Sequence, residues 1–364
     1  MAKRIVALML AAVLLLTAFA ALAEDEDVTQ IEGTLKNKIK LKKNYPDNPV
    51  IEGVSPTTGL PASGEAYTPI LLVIDGTPDC KPNWGIGDAD IMFQVPNAGG
   101  GATKYLALFA DHYPQIAGSV RSGRASMVPV AKAWDAAFAY AGGPPEAIKG
   151  GNVQIKTLIS KWKMTDKNRK YKNYNLLGSY AQREDFLPTP HNASARIRDI
   201  HENAIAEGVD FEQRPLLFTD EPRTTGAQAV YIKMVHRGDT LSKPVNASST
   251  NYFYYDEAQG GYTRQHTTYD DKDRFTGETM VYSNVIVMRI KFNWQENYVF
   301  YKDHMVGSGV AEIFQNGRYV RGAWFRKDQN SRLVFIDENG EELAFQRGKS
   351  FIVITNDATG VSYR

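Results

Sequence analysis

The feature that most restricts the fold is a change in hydrophobic period near residue 210. Before it, apolar residues recur at helical spacing, whereas beyond Val230 the chain consists of short β-branched and aromatic runs separated by turn residues. The helical spacing occurs at Met127, Val130, Ala131 and Trp134, and again at Ile197, Ile200, Ala204 and Ile205. The sequence therefore predicts an α/β or α+β domain over residues 66–208, a linker over 209–230 and an antiparallel all-β domain over 231–364.

Strands and helices are expected to mix in the first of these domains. Residues 70–74 form a continuous apolar run, which is typical of a strand buried on both faces. Residues 89–95 and 104–110 are further strand candidates, and the glycines at 99–101 between them predict a hairpin loop. In the second helical stretch, Ser194 is the expected N-cap and Gly208 the expected end.

The second domain is predicted to be built from hairpins. Asn316-Gly317 and Asn339-Gly340 are strong signals for two-residue turns. The expected strands cover residues 231–235, 252–255, 285–292, 298–301, 310–314, 319–325, 333–336 and 351–355.

The first residues of the chain predict export. Lys3 and Arg4 precede an apolar run over residues 5–22, and the small residues of Ala21-Leu22-Ala23 are followed by an acidic run from Glu24. This pattern is typical of a secretory signal peptide cleaved after Ala23. The alternative is an uncleaved anchor, because the run just reaches spanning length. In either case we expect the remaining chain to work outside the cytoplasmic membrane.

Between the signal peptide over residues 1–23 and the first domain, residues 24–65 are predicted to be a charged, proline-rich linker. Within it, residues 35–43 alternate aliphatic residues with lysine. The lysines from Lys36 to Lys43 could contact an anionic membrane surface, or the segment could be a solvated strand or tether.

Composition excludes several classes of protein. Cys80 is the only cysteine, so intramolecular disulfides and four-thiolate zinc sites are impossible, and no cysteine directly follows the apolar run to carry a lipid. The formal net charge is +1 and becomes −1 when Lys3 and Arg4 are removed with the signal. Nucleic acid is therefore not an expected partner.

The segment with the most chemical character precedes the first helical stretch. It runs from Pro114 and carries Arg121, Ser122 and Arg124. A helix start presents free N–H groups, and guanidinium groups bind oxyanions in a bidentate manner, so the segment predicts a phosphate or carboxylate site. The alternative is that both arginines pair with structural carboxylates such as Asp75, Asp90 or Asp135. Lys104 is added as a further ligand-binding candidate.

Three side chains are candidates for catalysis. Asp75 ends the apolar strand and Asp90 begins the next, where carboxylates can hold a divalent cation, act as bases or simply cap turns. His191 lies in a Pro-His-Asn loop and is either an exposed histidine or a general acid or ligand donor. Asn192 and Arg183, close by in the sequence, are candidates for ligand binding. No metal site is predicted beyond Asp75 and Asp90.

Familiar catalytic signatures are missing. The sequence contains neither an H-E-x-x-H pair nor a G-x-S-x-G elbow. Ser160 and Lys163 match S-x-x-K without its companion motifs. Cys80 has no histidine placed as a partner, so we expect it to be buried or inert.

The order of several motifs resembles the YerB-like family of bacterial extracytoplasmic proteins, a domain of unknown function. The motifs are Pro56 to Pro61, Ala89-Asp90-Ile91, the glycine loop, Gly118 to Arg124, Trp134-Asp135-Ala136, Gly142-Gly143, Pro190-His191-Asn192, Tyr255-Asp256, Tyr262-Thr263-Arg264 and Asn284 to Val287. The resemblance implies a two-domain protein. This chain departs from the family pattern at Gln94, where a glutamate is usual, at Lys104, where an arginine is usual, and in lacking the lipoprotein cysteine.

A weaker, fold-level analogy exists to the LytR-CpsA-Psr phosphotransferases, which hold a polyprenyl pyrophosphate and magnesium with arginines and aspartates. Two functions therefore remain open. One is a noncatalytic envelope protein that binds an anionic glycan, phosphate or peptide and contacts an envelope protein. The other is a metal-assisted envelope phosphotransferase or hydrolase, which would use Mg²⁺ and requires Asp75 and Asp90 to converge with Arg121 and Arg124.

Overall fold

The computed structural model describes residues 28–97, 103–143, 155–236, 250–266, 269–295 and 298–364. The strands are β1 (Thr29–Ile31), β2 (Ile70–Ile74), β3 (Ile91–Pro96), β4 (Thr103–Phe109), β5 (Ala117–Gly118), β6 (Ala137–Tyr140), β7 (Asn173–Asn175), β8 (Ala181–Arg183), β9 (Ala193–Ala195), β10 (Phe218–Thr219), β11 (Ala227–Gln228), β12 (Tyr231–Val235), β13 (Thr250–Asp256), β14 (Gly261–His266), β15 (Tyr269–Asp270), β16 (Val281–Tyr282), β17 (Asn284–Arg289), β18 (Phe292–Gln295), β19 (Tyr298–Tyr301), β20 (Gly307–Gln315), β21 (Arg318–Arg326), β22 (Val334–Ile336), β23 (Phe345–Gln346), β24 (Ser350–Thr355) and β25 (Gly360–Tyr363). The α-helices are α1 (Val128–Ala133), α2 (Ile155–Lys161) and α3 (Ile197–Ala206), and 3-10 turns cover Pro78–Cys80, Ala125–Met127 and Lys302–Met305. The predicted signal peptide and the glycines at 99–101 lie outside the described residues.

A central mixed sheet takes strands from both halves of the chain. Its order is β11-β21-β20-β17-β24-β3-β4-β2-β6-β7, with β22 paired to β21. The halves meet where β24 pairs in parallel with β3, with Ser350 opposite Ile91 and Val353 opposite Gln94. The two halves therefore share one sheet.

Each face of the central sheet carries a hydrophobic core. On one face, α1, α2 and the β18-β19 hairpin cover residues such as Val73, Phe93 and Ile352. On the other, α3 and a second sheet cover residues such as Leu72 and Phe351. The second sheet has the order β1-β25-β12-β13-β14-β15, with β16 paired to β14. The architecture is three-layered and mostly β.

Several sequence expectations are confirmed here. The apolar run at 70–74 is β2, and all of its residues are buried. The Asn316-Gly317 pair joins β20 to β21 with both residues at positive φ, as a type I′ turn requires. Asn339-Gly340 instead lies in a longer loop closed by Asp337 and Glu341, whose N–H and C=O groups pair across it.

Two expectations about regular structure are corrected. The C-terminal half is not wholly antiparallel, because β24 pairs in parallel with β17 as well as with β3. The second helical stretch starts at Ile197 rather than beside Ser194. Ser194 lies on β9 and its buried hydroxyl accepts a hydrogen bond from Trp84 Nε1 at 2.7 Å, so it cannot cap the helix. The end at Gly208 is as predicted, with φ +60°.

The segments expected to be linkers pack against the rest of the molecule. In residues 24–65, β1 pairs with β25, and Ser55 and Thr57 are buried. In residues 209–230, Arg214 is buried, while β10 pairs with β23 and β11 with β21. The prolines and charges of these two segments predict loops. In the structure, their backbone groups hydrogen-bond to the sheets that they cross, and their apolar groups pack there.

The alternating segment places its two kinds of residue on opposite sides. Ile39 and Leu41 pack against the cluster around Tyr45 and Ile336, while the lysines from Lys36 to Lys43 are exposed. This arrangement matches a solvated segment lying on the protein, and membrane contact stays a prediction. Among the described residues, no helix combines the length and hydrophobicity needed to cross a bilayer.

Candidate functional site

The arginine segment lies in a gap between two parallel strands. β2 and β6 pair from Ile70 to Leu72 and then diverge. Residues 119–123 enter the gap as extended chain: the Arg121 N–H bonds Val73 O at 3.1 Å, and Arg121 O accepts the N–H of Ala141 at 3.0 Å. Because β2, β6 and β7 are parallel, their carboxyl ends lie at one edge of the sheet, which is where open sheets bind ligands.

Close packing explains the glycines of this segment. A Cβ at Gly118 would lie 2.5 Å from the Trp84 ring, and a Cβ at Gly123 would lie 2.8 Å from Ile155 Cδ1. These residues therefore allow the segment to enter the gap between the strands.

Asp75 follows β2 and is the centre of the cluster. Its Oδ2 accepts a hydrogen bond from Arg121 Nε at 2.6 Å and lies 3.2 Å from His191 Nδ1. Its Oδ1 accepts the N–H of Thr77 at 3.1 Å. Burial opposes ionisation of this carboxyl, but the Thr77 amide, Arg121, His191 and Lys104 together hold its pKa below the usual value. Asp75 is therefore an anion at neutral pH.

The contacts of His191 cannot all be satisfied within the cluster. Its Nδ1 lies 2.9 Å from Arg121 Nη2, a donor, and 3.2 Å from the Asp75 carboxylate, an acceptor. A ring nitrogen that carries a proton donates a hydrogen bond, and one without a proton accepts a hydrogen bond. Only one of these two contacts is therefore a hydrogen bond at a time. A ligand acceptor that takes over Arg121 Nη2 would leave His191 free to donate to Asp75.

Lys104 is buried beside this cluster. It lies at the start of β4 and is 7% exposed. Within the described ranges, no acceptor or carboxylate lies within bonding distance of its ammonium group. Burial, together with the positive charges of Arg124 and Arg121, lowers the pKa of Lys104 to about 7, while Asp75 acts in the opposite direction.

Arg124 and Ser122 complete the segment, but the helix start expected after them is short. Arg124 Nη1 donates to Gly123 O at 2.9 Å, and Ser122 is half-buried. Arg124 is followed by one 3-10 turn and then by the six-residue α1. The expected contribution of a helix dipole is therefore corrected: extended backbone and side-chain cations, rather than a helix terminus, make up this candidate site.

Two of the predicted ligand-binding residues have structural partners. Asn192 is buried; its Oδ1 accepts a hydrogen bond from Arg183 Nη1 at 2.8 Å and its Nδ2 donates to Glu184 O at 2.7 Å. These bonds hold the loop that carries His191. Asn192 and Arg183 thus position His191.

Asp90 lies far from the other candidate residues. It lies where β3 begins, and its Oδ2 accepts hydrogen bonds from Thr57 Oγ1 at 2.7 Å and from the N–H of Ala110 at 3.1 Å. Tyr105 of β4 is opposite Ile74, the last residue of β2. Ala110 is five residues further along the chain than Tyr105, and five residues of strand span about 17 Å. Asp75 and Asp90 are therefore at opposite edges of the sheet, which corrects the convergence required by the metal-assisted alternative.

Burial dominates the properties of Asp90. Burial, with a smaller contribution from the nearby Asp111, raises the pKa of this carboxyl to about 7, although the Thr57 hydrogen bond lowers it. The carboxyl is buried and accepts hydrogen bonds from the Thr57 hydroxyl and the Ala110 amide.

The remaining sequence candidates give no metal centre. Among the residues that the structure describes, no group of three or more His, Cys, Asp or Glu side chains could hold a metal ion. Cys80 is buried, and burial raises the pKa of its thiol, as expected for an inert cysteine. Of the carboxylates proposed as partners for the arginines, Asp75 pairs with Arg121, whereas Asp135 pairs with Lys172 at 2.7 Å.

Sequence reasoning missed the backbone support of Asp75. The Asp75-Gly76-Thr77 order is the signature of an Asx turn, in which the carboxylate accepts the N–H two residues later, and it could have been recognised. The insertion of residues 119–123 between two strands has no local signal, because it depends on where β2 and β6 diverge.

Comparison with known proteins agrees with this architecture. The models for the "Protein of unknown function (DUF3048) N-terminal domain" and its C-terminal domain match residues 57–210 and 242–352. The protein named "Putative lipoprotein YerB" from Bacillus subtilis (strain 168) is 25% identical over 85% of this chain and 88% of its own length. The crystal structure of YerB from Bacillus subtilis superposes with a TM-score of 0.68 at 25% identity, covering 85% of this chain and 99% of that chain. The chain therefore belongs to the DUF3048 family, of which it carries the N-terminal and C-terminal domains.

Proposed function

We propose that this protein is an exported envelope protein that binds an anionic ligand, a phosphate or a carboxylate, at the edge of the sheet where β2 and β6 end. The observation that carries the proposal is Lys104, a buried ammonium group with no bonding partner among the described residues. Buried charges in proteins are ordinarily paired, so a buried lysine that lacks a partner in the described part of the chain and lies near two arginines supports an anionic ligand at this place.

The charges around the site support this function. Lys104, Arg121 and Arg124 are close enough for the two arginines to lower the lysine pKa, and Asp75 is the carboxylate that opposes them. Among the described residues, the charged groups that act most on Lys104 are two arginines and one carboxylate, although the whole chain is nearly neutral. An oxyanion would neutralise the remaining positive charge and accept from Arg121 Nη2.

Export of the protein is supported by the apolar run at 5–22 and by the name of the Bacillus subtilis relative. The finer expectations, a partner in the envelope and contact of Lys36 to Lys43 with a membrane surface, belong to the same proposal. A binding role is favoured over metal-assisted transfer because Asp90 lies away from Asp75 and Arg121.

The first prediction concerns Lys104→Met. The substitution removes a buried amino group that has no bonding partner among the described residues, so we expect thermal stability to stay equal or to rise. Binding of inorganic pyrophosphate should weaken about tenfold or more, because one charge-assisted bond of about 1.5–3 kcal/mol is lost. Calorimetric titration and thermal melting of the same samples measure both quantities.

Lys132→Met is the matched control for this experiment. Lys132 is also buried and burial likewise lowers its pKa, but it lies on α1 near Asp135 and Arg214. Its replacement should leave pyrophosphate affinity unchanged. Equal affinity in the wild type and in Lys104→Met would reject the anion site.

The second prediction is uptake of a proton on binding. With a pKa of about 7, Lys104 is mostly neutral at pH 8 in the free protein, and an anion beside it favours the charged form. Binding of sulfate, which does not titrate in this range, should therefore take up close to one proton at pH 8 and little at pH 6.

Titration in two buffers of different ionisation enthalpy measures this uptake. Lys104→Met should abolish its pH dependence. A wild-type uptake that does not change between pH 6 and pH 8 contradicts the assignment of Lys104 to the site.

A further inference from the structure

A second groove lies outside the anion site, between the edge strand β7 and the C-terminal end of α3. Its volume is about 360 Å³, within the range of small-molecule sites, ~300–1,000 Å³. The side chains that characterise it are Tyr171, Tyr174, Tyr180, Asn173, Asn175 and Asn203. Tyrosines and amides thus dominate its lining.

The tyrosines present ring faces at different angles. Tyr171 is 73% exposed, the most exposed aromatic side chain among the described large hydrophobic residues. Tyr174 and Tyr180 contact each other edge to face, with ring centroids 5.5 Å apart and planes at 79°. Two perpendicular walls and one open platform can therefore receive a flat, partly apolar ligand.

The amides have hydrogen-bonding capacity that the protein does not use. Asn203 Oδ1 accepts from the Tyr174 hydroxyl at 3.3 Å, and Asn175 Oδ1 accepts the N–H of Gly142 at 3.1 Å. Within the described part of the chain, the Nδ2 groups of Asn175 and Asn203 have no acceptor, and Asn173 Oδ1 has no donor. The two Nδ2 groups are therefore donors that a ligand can use, whereas Asn173 Oδ1 is buried from solvent.

Charge in the groove is low. Lys170 and Glu207 are its charged residues, and the Lys170 ammonium donates to the carbonyls of Glu207 and Gly208 at the end of α3. This cation is therefore occupied in closing the helix. An anionic ligand therefore finds no unoccupied cation among the lining residues, whereas a neutral ligand does not need one.

We propose that this groove binds a neutral oligosaccharide. Sugar rings have C–H faces that pack on aromatic rings and neighbouring hydroxyls that bind amides as donors and acceptors, which matches both halves of the lining. The groove uses none of the charged residues of the anion site, so the inference does not depend on the function proposed above. A peptide added to the edge of β7 is the competing occupant.

The test uses the full mature chain and a four-unit N-acetylglucosamine oligomer. Titration followed by NMR should give saturable binding with a Kd on the order of 0.1–1 mM. Tyr171→Ala should weaken binding about tenfold or more, whereas Tyr171→Phe, which retains the ring, should lose less. Asn203→Asp keeps the acceptor for Tyr174 but removes the free donor, and should also weaken binding.

Phe275→Ala is the matched control, since Phe275 is an aromatic side chain 53% exposed elsewhere on the surface. It should bind the oligomer like the wild type, and Lys104→Met should as well, which separates this groove from the anion site. The proposal is overturned by the absence of saturable binding up to about 10 mM, by equal losses in Tyr171→Ala and Phe275→Ala, or by saturable binding of unrelated extended peptides in place of the sugar.

Discussion

Neither residues 28–230 nor residues 231–364 will fold when produced alone. The reason is the position of β24, which belongs to the C-terminal half but pairs with β3 of the N-terminal half on one side and with β17 on the other. Separation exposes the edges and apolar faces of β24, which is fully buried, and of β3, which is buried except at Pro96. This exposure is costly and favours aggregation. The second sheet is divided as well, since β1 pairs with β25.

Spectroscopy of the two fragments measures this effect. We expect poorly dispersed NMR spectra and aggregation for each fragment, and recovery of a soluble complex when both are produced together. The intact chain should unfold in urea in one transition, seen equally by circular dichroism and by tryptophan fluorescence. A well-dispersed spectrum from either fragment alone would contradict the shared sheet as the basis of stability.

The change of period near residue 210 identified two regions of different local structure but could not show that they share a sheet. Local pattern fixed the burial of β2 and the turn at Asn316-Gly317, because both depend on neighbouring residues. The pairing of β24 with β3 joins residues more than 250 positions apart. No period or turn signal reports such a contact.

The candidate site was predictable to a similar extent. Arg121, Asp75 and His191 were singled out by residue type and position, and the structure brings them within hydrogen-bonding distance of one another. Asp90 was singled out for the same reason, a carboxylate at a strand end. Its place at the opposite edge follows from strand direction, which the sequence of a single strand does not encode.

Replacing Arg289 with methionine is expected to be among the most destabilising single changes in the core. Arg289 and Glu312 are both fully buried, and Arg289 bonds the carboxylate through Nε at 2.7 Å and Nη2 at 3.1 Å. Its Nη1 donates to the carbonyls of Asn356 and Thr359. Removal of one partner leaves the other charge unpaired in the core, which costs about 3–5 kcal/mol.

The double variant Arg289→Met with Glu312→Leu separates lost attraction from unpaired charge. If the unpaired carboxylate causes the loss, the double variant should recover most of the stability, leaving a deficit of about 1–3 kcal/mol from the two carbonyls without a donor. Urea denaturation of the four proteins measures the cycle. As a control, Lys167→Met removes one partner of an exposed ion pair with Asp210 and should change stability little.

The pH dependence of the single variant supplies an independent check on the same cause. Burial already raises the pKa of Glu312, with Arg289 acting against it, so loss of the arginine must raise that pKa further above its value in the unfolded chain. A carboxyl with a raised folded pKa binds more protons in the folded state, and its penalty therefore shrinks as pH falls through that pKa. The deficit of Arg289→Met should accordingly be largest at neutral and alkaline pH and decrease toward pH 5. A deficit that is the same at pH 5 and pH 8 would mean that lost packing around residue 289, rather than the unpaired Glu312 charge, sets the cost.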